Sequence, residues 1–485
     1  MGISYYSTNS VDKKRVSFQE ALLIGLAPDY GLYMVDRSEI PKFSIEEINA
    51  MKGKKYSQIA YEVLSKYLLE EISEEDLRPL LDDAYSEDKI PTIVQKANEN
   101  TYILWLTKGP TYSFKDYAAR FFGRTLNYFL GKKGLRRVVV VATSGDTGGA
   151  VADALYGLEN VDNIVFFPKG SVSDGQRRQM TTLGKNVYAF EVNGDFDVCQ
   201  SLAKTLLGDK EFAGEVFGDK ERLTSANSIS LGRLLPQSVY PFFAFSQIDG
   251  IEPFIASIPS GNFGDMMGTV LAKEMGLPVS KIVCGVNENK EFPIFLETGK
   301  YVVLPSVKSP SSAMIVSHPS NLARLIDFYG GHMYDLRDEQ TKKVIDQGVI
   351  DKMPILEEMK KDLFSISIDN QTHYSTMKDV YDNYGIILDP HGSVGWNALA
   401  KFTNNDFSKR AIIYETADPG KFPDDVEKAI GVVPELPARM EEQQNLDERI
   451  YSIESSPLNS SQGLKLSDEQ VNEAKEKIKT IFSKS

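Results

Sequence analysis

The stretch Leu106-Thr107-Lys108-Gly109-Pro110-Thr111-Tyr112-Ser113-Phe114-Lys115-Asp116 breaks the chain at Gly109-Pro110 and then feeds Tyr117-Ala118-Ala119-Arg120-Phe121-Phe122, which reads as helix. Thr111 or Ser113 is placed to cap the orphan N–H groups of that helix. Lys115 then falls in the first helical turn, at the positive end of the macrodipole, where an ammonium is slightly disfavoured. If also desolvated, such a lysine loses its proton more easily and becomes a nucleophile toward a carbonyl. For one lysine taken alone a solvated charge is the default, so the rest of the chain must decide.

Two glycine-rich turns bear on it. Pro259-Ser260-Gly261-Asn262-Phe263-Gly264-Asp265 stands between an apolar strand and a helix. Glycines there let backbone N–H groups approach an anion, and the helix N-terminus adds its positive end, so a phosphate fits without a basic side chain. Neither a P-loop nor G-x-G-x-x-G occurs, which argues against nucleoside triphosphates and dinucleotides. In Ala142-Thr143-Ser144-Gly145-Asp146-Thr147-Gly148 the N–H groups and the Ser144 and Thr147 hydroxyls suit a carboxylate. Taken singly, either turn is equally a capped helix in an α/β sheet. Thr416 ends a buried strand, where open α/β sheets place ligands. A lysine, two anion turns and a strand-end hydroxyl together fit bound pyridoxal phosphate.

The elements that must position these residues alternate. Val138–Ala142, Ile164–Phe167 and Val187–Glu191 read as strands with helix between, Phe254–Ile258 and Ile282–Val286 repeat the rhythm, and Ala411–Glu415 leads to Thr416. This βαβα order predicts an α/β fold with two parallel-sheet domains. The expected division is 1–95, an N-terminal α+β domain; 96–250, carrying the lysine; 251–430, carrying the phosphate turn; and a C-terminal extension, 431–485. In the first of these, Ser17 and Glu20 form a capping-box pattern ahead of an apolar run.

The chain resembles threonine synthases. The likeness rests on Gly109-Pro110-Thr111-x-x-Phe114-Lys115-Asp116, on Ser260-Gly261-Asn262-Phe263-Gly264-Asp265, and on Ser17-Phe18-Gln19-Glu20-Ala21 with Gly25 to Tyr33 near the N-terminus. It runs from Ser17 to about Gly431 with the motifs in the family's order. It implies the tryptophan synthase β-like fold of pyridoxal-phosphate enzymes (fold type II), with Lys115 carrying the cofactor. Gly261, Asn262, Phe263 and Gly264 then cradle its phosphate, with Asp265 at the loop's end. Asp146 lies near the ring hydroxyl, and the Thr416 hydroxyl faces the pyridine nitrogen, making the ring a milder electron sink than a carboxylate partner would. Thr143, Ser144, Gly145 and Thr147 hold the substrate's α-carboxylate.

Ser225-Ala226-Asn227-Ser228-Ile229-x-x-Gly232-Arg233 also looks like a family segment. Asn227 and Arg233 offer donors and a cation for a substrate phosphate; the other reading is a capped helix with an exposed Arg233. Two positions depart from the family pattern. Lys108 stands where its members have His before Gly-Pro-Thr, and Asp418 where they have His in Thr-Ala-His-Pro. The swaps are expected to be coupled as a Lys108–Asp418 ion pair, with Lys108 counted among the substrate-binding residues.

Composition narrows the partners. The 485 residues carry a net charge of −14, with 42% apolar and 25% charged residues, which argues for solubility and against nucleic acid. No stretch approaches the apolar length of a membrane span, and no secretory signal is expected. Two cysteines, Cys199 and Cys284, suit a reducing cytoplasm as buried apolar residues. The four histidines lack metal-ligand spacing, so no metal is expected. His391 reads as a turn residue, and Asp195 and Asp197 as a solvated turn. The function implied is conversion of O-phospho-L-homoserine and water to L-threonine and phosphate, by a monomer or homodimer. A phospho-lyase of the same fold giving a 2-oxo acid, ammonia and phosphate is the alternative, and a non-catalytic anion-binding α/β protein the alternative of another class.

Overall fold

The computed structural model describes residues 2–143, 145–227, 229–340, 342–460 and 463–483. By compactness the chain divides into two units. The first comprises Met1–Leu22, Leu26–Ala118 and Ser228–Glu435; the second comprises Leu23–Gly25, Ala119–Asn227 and Leu436–Ser485.

The first unit is built on a six-stranded sheet in the order Leu363–Ser367, Val279–Val286, Phe254–Pro259, Ala411–Glu415, Thr101–Trp105, Ile93–Lys96. All neighbours are parallel except the last pair. Phe254–Pro259 and Ala411–Glu415 are buried throughout, as central parallel strands covered on both faces must be. The helix Pro390–Thr403 packs on this sheet; Asp389 caps it by accepting from the Gly392 N–H at 2.6 Å. Residues 1–95, apart from Leu23–Gly25, fall in this unit. There the paired strands Tyr5–Ser7 and Tyr33–Val35 accompany the helices Ile45–Asn49, Tyr56–Leu68 and Glu74–Ala84.

The second unit carries a five-stranded, all-parallel sheet in the order Ile450–Ile453, Val187–Val192, Val161–Pro168, Arg137–Ala142, Leu223–Ser225. Arg137–Ala142, with its four consecutive valines, is buried at every position. The last helix, Asp468–Phe482, opens on a Ser467 capping box and buries Ala474 and Ile478 in this unit's core.

The structure groups residues 96–250 differently from their linear order. Thr101–Trp105 hydrogen-bonds between Ala411–Glu415 and Ile93–Lys96, so it belongs to the first unit's sheet, while 119–227 form the second. Residues 431–485 likewise supply an edge strand, Ile450–Ile453, to the second sheet. Backbone pairing, which joins strands hundreds of positions apart, decides both memberships. No helix among the described residues is long and apolar enough to cross a membrane.

Candidate active site

Lys115 is the first residue of the helix Lys115–Lys133. The turn before it is locked by Asp116, whose carboxylate accepts from the Thr111 N–H at 2.8 Å and the Thr111 hydroxyl at 2.6 Å. Thr111, expected as a cap, is a donor to Asp116 in this turn. A carboxylate reaching back in this way satisfies donors that the Gly109-Pro110 break leaves open, and it suits the helix's positive end. Buried Lys421 donates to the Thr111 carbonyl at 2.8 Å, and Tyr240 Oη to the Phe114 carbonyl at 3.2 Å.

This turn is docked on the end of the strand Ala411–Glu415. The Phe114 N–H donates to the Thr416 carbonyl at 2.9 Å, and the Asp418 N–H to the Tyr112 carbonyl at 3.0 Å; Ser113 bridges Ala417 between them. The backbone therefore sets Lys115 beside Thr416, which is 5% exposed. The expected ion pair is present, with Lys108 Nζ 2.7 Å from Asp418 Oδ2.

In the same unit, Gly261–Asp265 links the strand Phe254–Pro259 to the helix Gly264–Glu274. The N–H groups of Asn262, Phe263 and Gly264 find no acceptor among the described residues. Phe263 holds a left-handed φ of 61° at the helix N-cap and packs edge-on against Phe292, with ring centroids 4.9 Å apart. A Cβ at Gly261 would lie 3.0 Å from the Ala313 carbonyl oxygen and the Met314 Cα, and one at Gly264 would lie 2.8 Å from Gln237 Nε2. Orphan N–H groups at a helix N-terminus, on a backbone with little room for a Cβ at two of its positions, fit the phosphate of pyridoxal phosphate. Burial pushes the Asp265 carboxyl up to about 6, opposed by the Met266 N–H and by the positive charge of Lys115.

Arg233 is buried, 4% exposed, which corrects the exposed-arginine reading. It lies in the short helix Leu231–Leu234, and burial lowers its pKa to about 10, with Tyr240 and Asp116 acting against that. His391, expected in a turn, is on the helix Pro390–Thr403 and buried. Its Nδ1 hydrogen-bonds Asp389, and its Nε2 accepts from the Ala313 N–H at 3.1 Å. Burial, followed by the neighbouring Asp389, raises the Glu415 pKa well above the carboxylate range.

In the second unit, the loop after Arg137–Ala142 leads into the helix Asp146–Leu155. The Thr143 hydroxyl is used within the loop: it donates to the Gly145 carbonyl at 3.0 Å and accepts from the Gly145 and Gly148 N–H groups at 2.9 Å each. Thr143 therefore shapes the loop. Gly145 has φ 154°, and Asp146, 5% exposed, accepts from Gln176 Nε2 at 2.9 Å. Thr147 and Asn227 are partly buried, the Asn227 N–H donating to Ser225 Oγ at 3.3 Å. Ser144 lies outside the described residues. Asp195 N-caps the helix Phe196–Gly208.

Sequence reading missed Lys421, Gln176, Gln237 and the Asp389–His391 pair. Of these, only the Asp-Pro-His run beginning at Asp389 carries a local signal, that of a helix start.

Three family models match the chain: threonine synthase N terminus over residues 4–85, pyridoxal-phosphate dependent enzyme over 89–348, and threonine synthase C-terminal over 392–462. The threonine synthase of Pseudomonas aeruginosa is 35% identical over 453 residues, covering 90% of this chain and 92% of its own. Among solved structures, the yeast threonine synthase superposes with a TM-score of 0.87 at 30% identity, covering 100% of this chain and 99% of its own. The pyridoxal-phosphate-bound threonine synthase of Brucella melitensis gives 0.86 at 30% identity, with both chains fully covered.

Proposed function

The chain belongs to the threonine synthase family, and from that premise we propose that it converts O-phospho-L-homoserine and water to L-threonine and inorganic phosphate. It is a pyridoxal-phosphate-dependent lyase of fold type II. The observation that carries the reading is the docking of the lysine turn on the strand end at Thr416, in a strand that pairs directly with Phe254–Pro259, the strand leading into the loop at 261–265.

When bound, pyridoxal phosphate supplies an electron sink conjugated to the substrate's α-carbon. Lys115 Nζ would attach the cofactor and, when free, would take one proton from the α-carbon and one from the β-carbon so that phosphate leaves the γ-carbon; protons would then return to the γ- and α-carbons, and water would supply the hydroxyl at the β-carbon. The N–H groups of Asn262, Phe263 and Gly264 hold the cofactor phosphate. Thr416 would offer its hydroxyl to the ring nitrogen, and a hydroxyl there would fix no positive charge on that nitrogen. Asp146, held by Gln176, would serve the ring hydroxyl. The loop containing Gly145 and Thr147, shaped by Thr143, receives the α-carboxylate. Arg233, Asn227 and Lys108 are assigned to the substrate phosphate, Arg233 as a desolvated guanidinium whose attraction for an anion is strengthened by low dielectric. The reading also places the enzyme in the cytoplasm, as a monomer or homodimer; buried free cysteines support the compartment.

The purified full-length protein should show a visible absorbance band that changes on adding O-phospho-L-homoserine, with threonine and phosphate released in equal amounts. Borohydride should fix the cofactor on Lys115, and Lys115→Ala should lower kcat by at least about a thousandfold. Release of 2-oxobutyrate in place of threonine would establish the phospho-lyase instead.

A further inference from the structure

Arg324 is one of the largest fully buried side chains in the protein, with 0% exposure. Its guanidinium meets only neutral oxygens. Nε donates to the Tyr33 carbonyl at 3.0 Å, Nη2 to the Ile229 carbonyl at 2.6 Å, and Nη1 to Asn321 Oδ1 at 2.6 Å. Among the described residues no carboxylate pairs with it, and burial lowers its pKa to about 9. A buried cation without a counter-ion is costly unless something else repays it.

The third of these bonds leads to the anion loop. Because Asn321 Oδ1 faces Arg324, its Nδ2 must point away, and it donates to the Asn262 carbonyl at 2.9 Å. The Asn321 N–H donates to the same carbonyl at 3.3 Å. A trans peptide directs its C=O and N–H to opposite sides. Pinning the Asn262 carbonyl on the Asn321 side therefore turns the Phe263 N–H the other way, toward an incoming anion. It also holds Phe263 in a left-handed conformation that a non-glycine residue resists.

We infer that Arg324, acting through Asn321, is the positioning residue that orients the phosphate-binding N–H groups at Asn262–Gly264 and supplies the buried positive charge which the bound phosphate offsets. The same guanidinium fastens the N-terminal strand, at Tyr33, and the segment at Ile229 to that loop. The N-terminal strand thereby acquires a part in cofactor binding without touching the cofactor. This inference rests on the family reading of the loop.

The test compares pyridoxal phosphate with pyridoxal, which lacks the phosphate, titrated into the full-length protein freed of cofactor and followed by the visible absorbance of the Lys115-bound ligand. Wild type should bind pyridoxal phosphate far more tightly. Arg324→Lys and Asn321→Ala should each lower that preference at least about tenfold, the scale of a lost hydrogen bond to a charged group, and leave pyridoxal affinity unchanged. A purely structural role would weaken both ligands together and leave the ratio as in wild type; that result overturns the inference. Should Arg324→Lys not fold, Asn321→Ala decides by the same ratio. A wild type that does not prefer the phosphorylated ligand overturns the inference and the cofactor reading together, whereas preference in wild type with unchanged variants overturns the inference alone.

Discussion

Lys108 Nζ and Asp418 Oδ2 are 2.7 Å apart across 310 positions of sequence. Asp418 is the more buried partner and also caps the turn Pro419–Lys421, accepting from the Gly420 N–H at 3.0 Å. Close behind lie Glu415 and Asp389, both fully buried. Lys108 is thus the cation paired with Asp418, and removing it takes the ion-pair partner from that carboxylate.

Lys108→Met should therefore lower kcat/KM, and so should Asp418→Asn. The double variant should lose less than the sum, with a coupling of about 1 kcal/mol, because each single change strands the other partner. A double-mutant cycle on kcat/KM reads this directly. Strict additivity would show that the two residues act independently.

Asp265 sets a pH dependence. Its folded-state pKa is raised from 3.8 to about 6, chiefly by burial. Between those values the folded state keeps a proton that the unfolded chain has released. Stability contributed by the neutral carboxyl is therefore lost as pH rises through the window, up to about 3 kcal/mol in all. Asp265→Asn has no such loss. Its melting temperature, relative to wild type and without cofactor, should rise between pH 4 and pH 7. A relative fall would mean that wild-type Asp265 is stabilised as an anion by Lys115.

Gly145 should not tolerate a side chain. Its φ of 154° is poorly accessible to L-residues, and a Cβ there would lie 2.6 Å from Gln176 Nε2, the group that orients Asp146. Gly145→Ala should cost about 1–3 kcal/mol of local stability and raise KM more than it lowers kcat. Adding Gln176→Ala removes the collision but leaves the backbone strain, so recovery should be partial. Steady-state kinetics on Gly145→Ala, Gln176→Ala and the double variant separates the two contributions.

The residues readable in the sequence are those whose local chain is unusual. Lys115 follows a Gly-Pro break, Gly261–Asp265 separates an apolar run from a helix, and Thr416 follows five consecutive buried residues. Arg324, Asn321 and Gln176 gave no such signal. Arg324 and Gln176 occupy ordinary helical positions, Asn321 precedes one, and their roles come from contacts that only tertiary structure creates. The hairpin His332–Arg337 with Val344–Lys352 was illegible for another reason. Its second strand is mostly exposed and has no buried alternation to read. The edge strand Ile450–Ile453 is brief and lies among charged and polar residues.

The central position of Ala411–Glu415 has a consequence for synthesis. Thr101–Trp105 pairs with it along five residues, yet Thr101–Trp105 leaves the ribosome first by about 15–60 s at ordinary elongation rates. Throughout that interval the nascent strand leading to Lys115 has only the short Ile93–Lys96 as a sheet neighbour, and its other edge stays open to any passing chain. Holding chaperones should therefore engage the nascent polypeptide most strongly before residue 411 emerges and release it soon afterward.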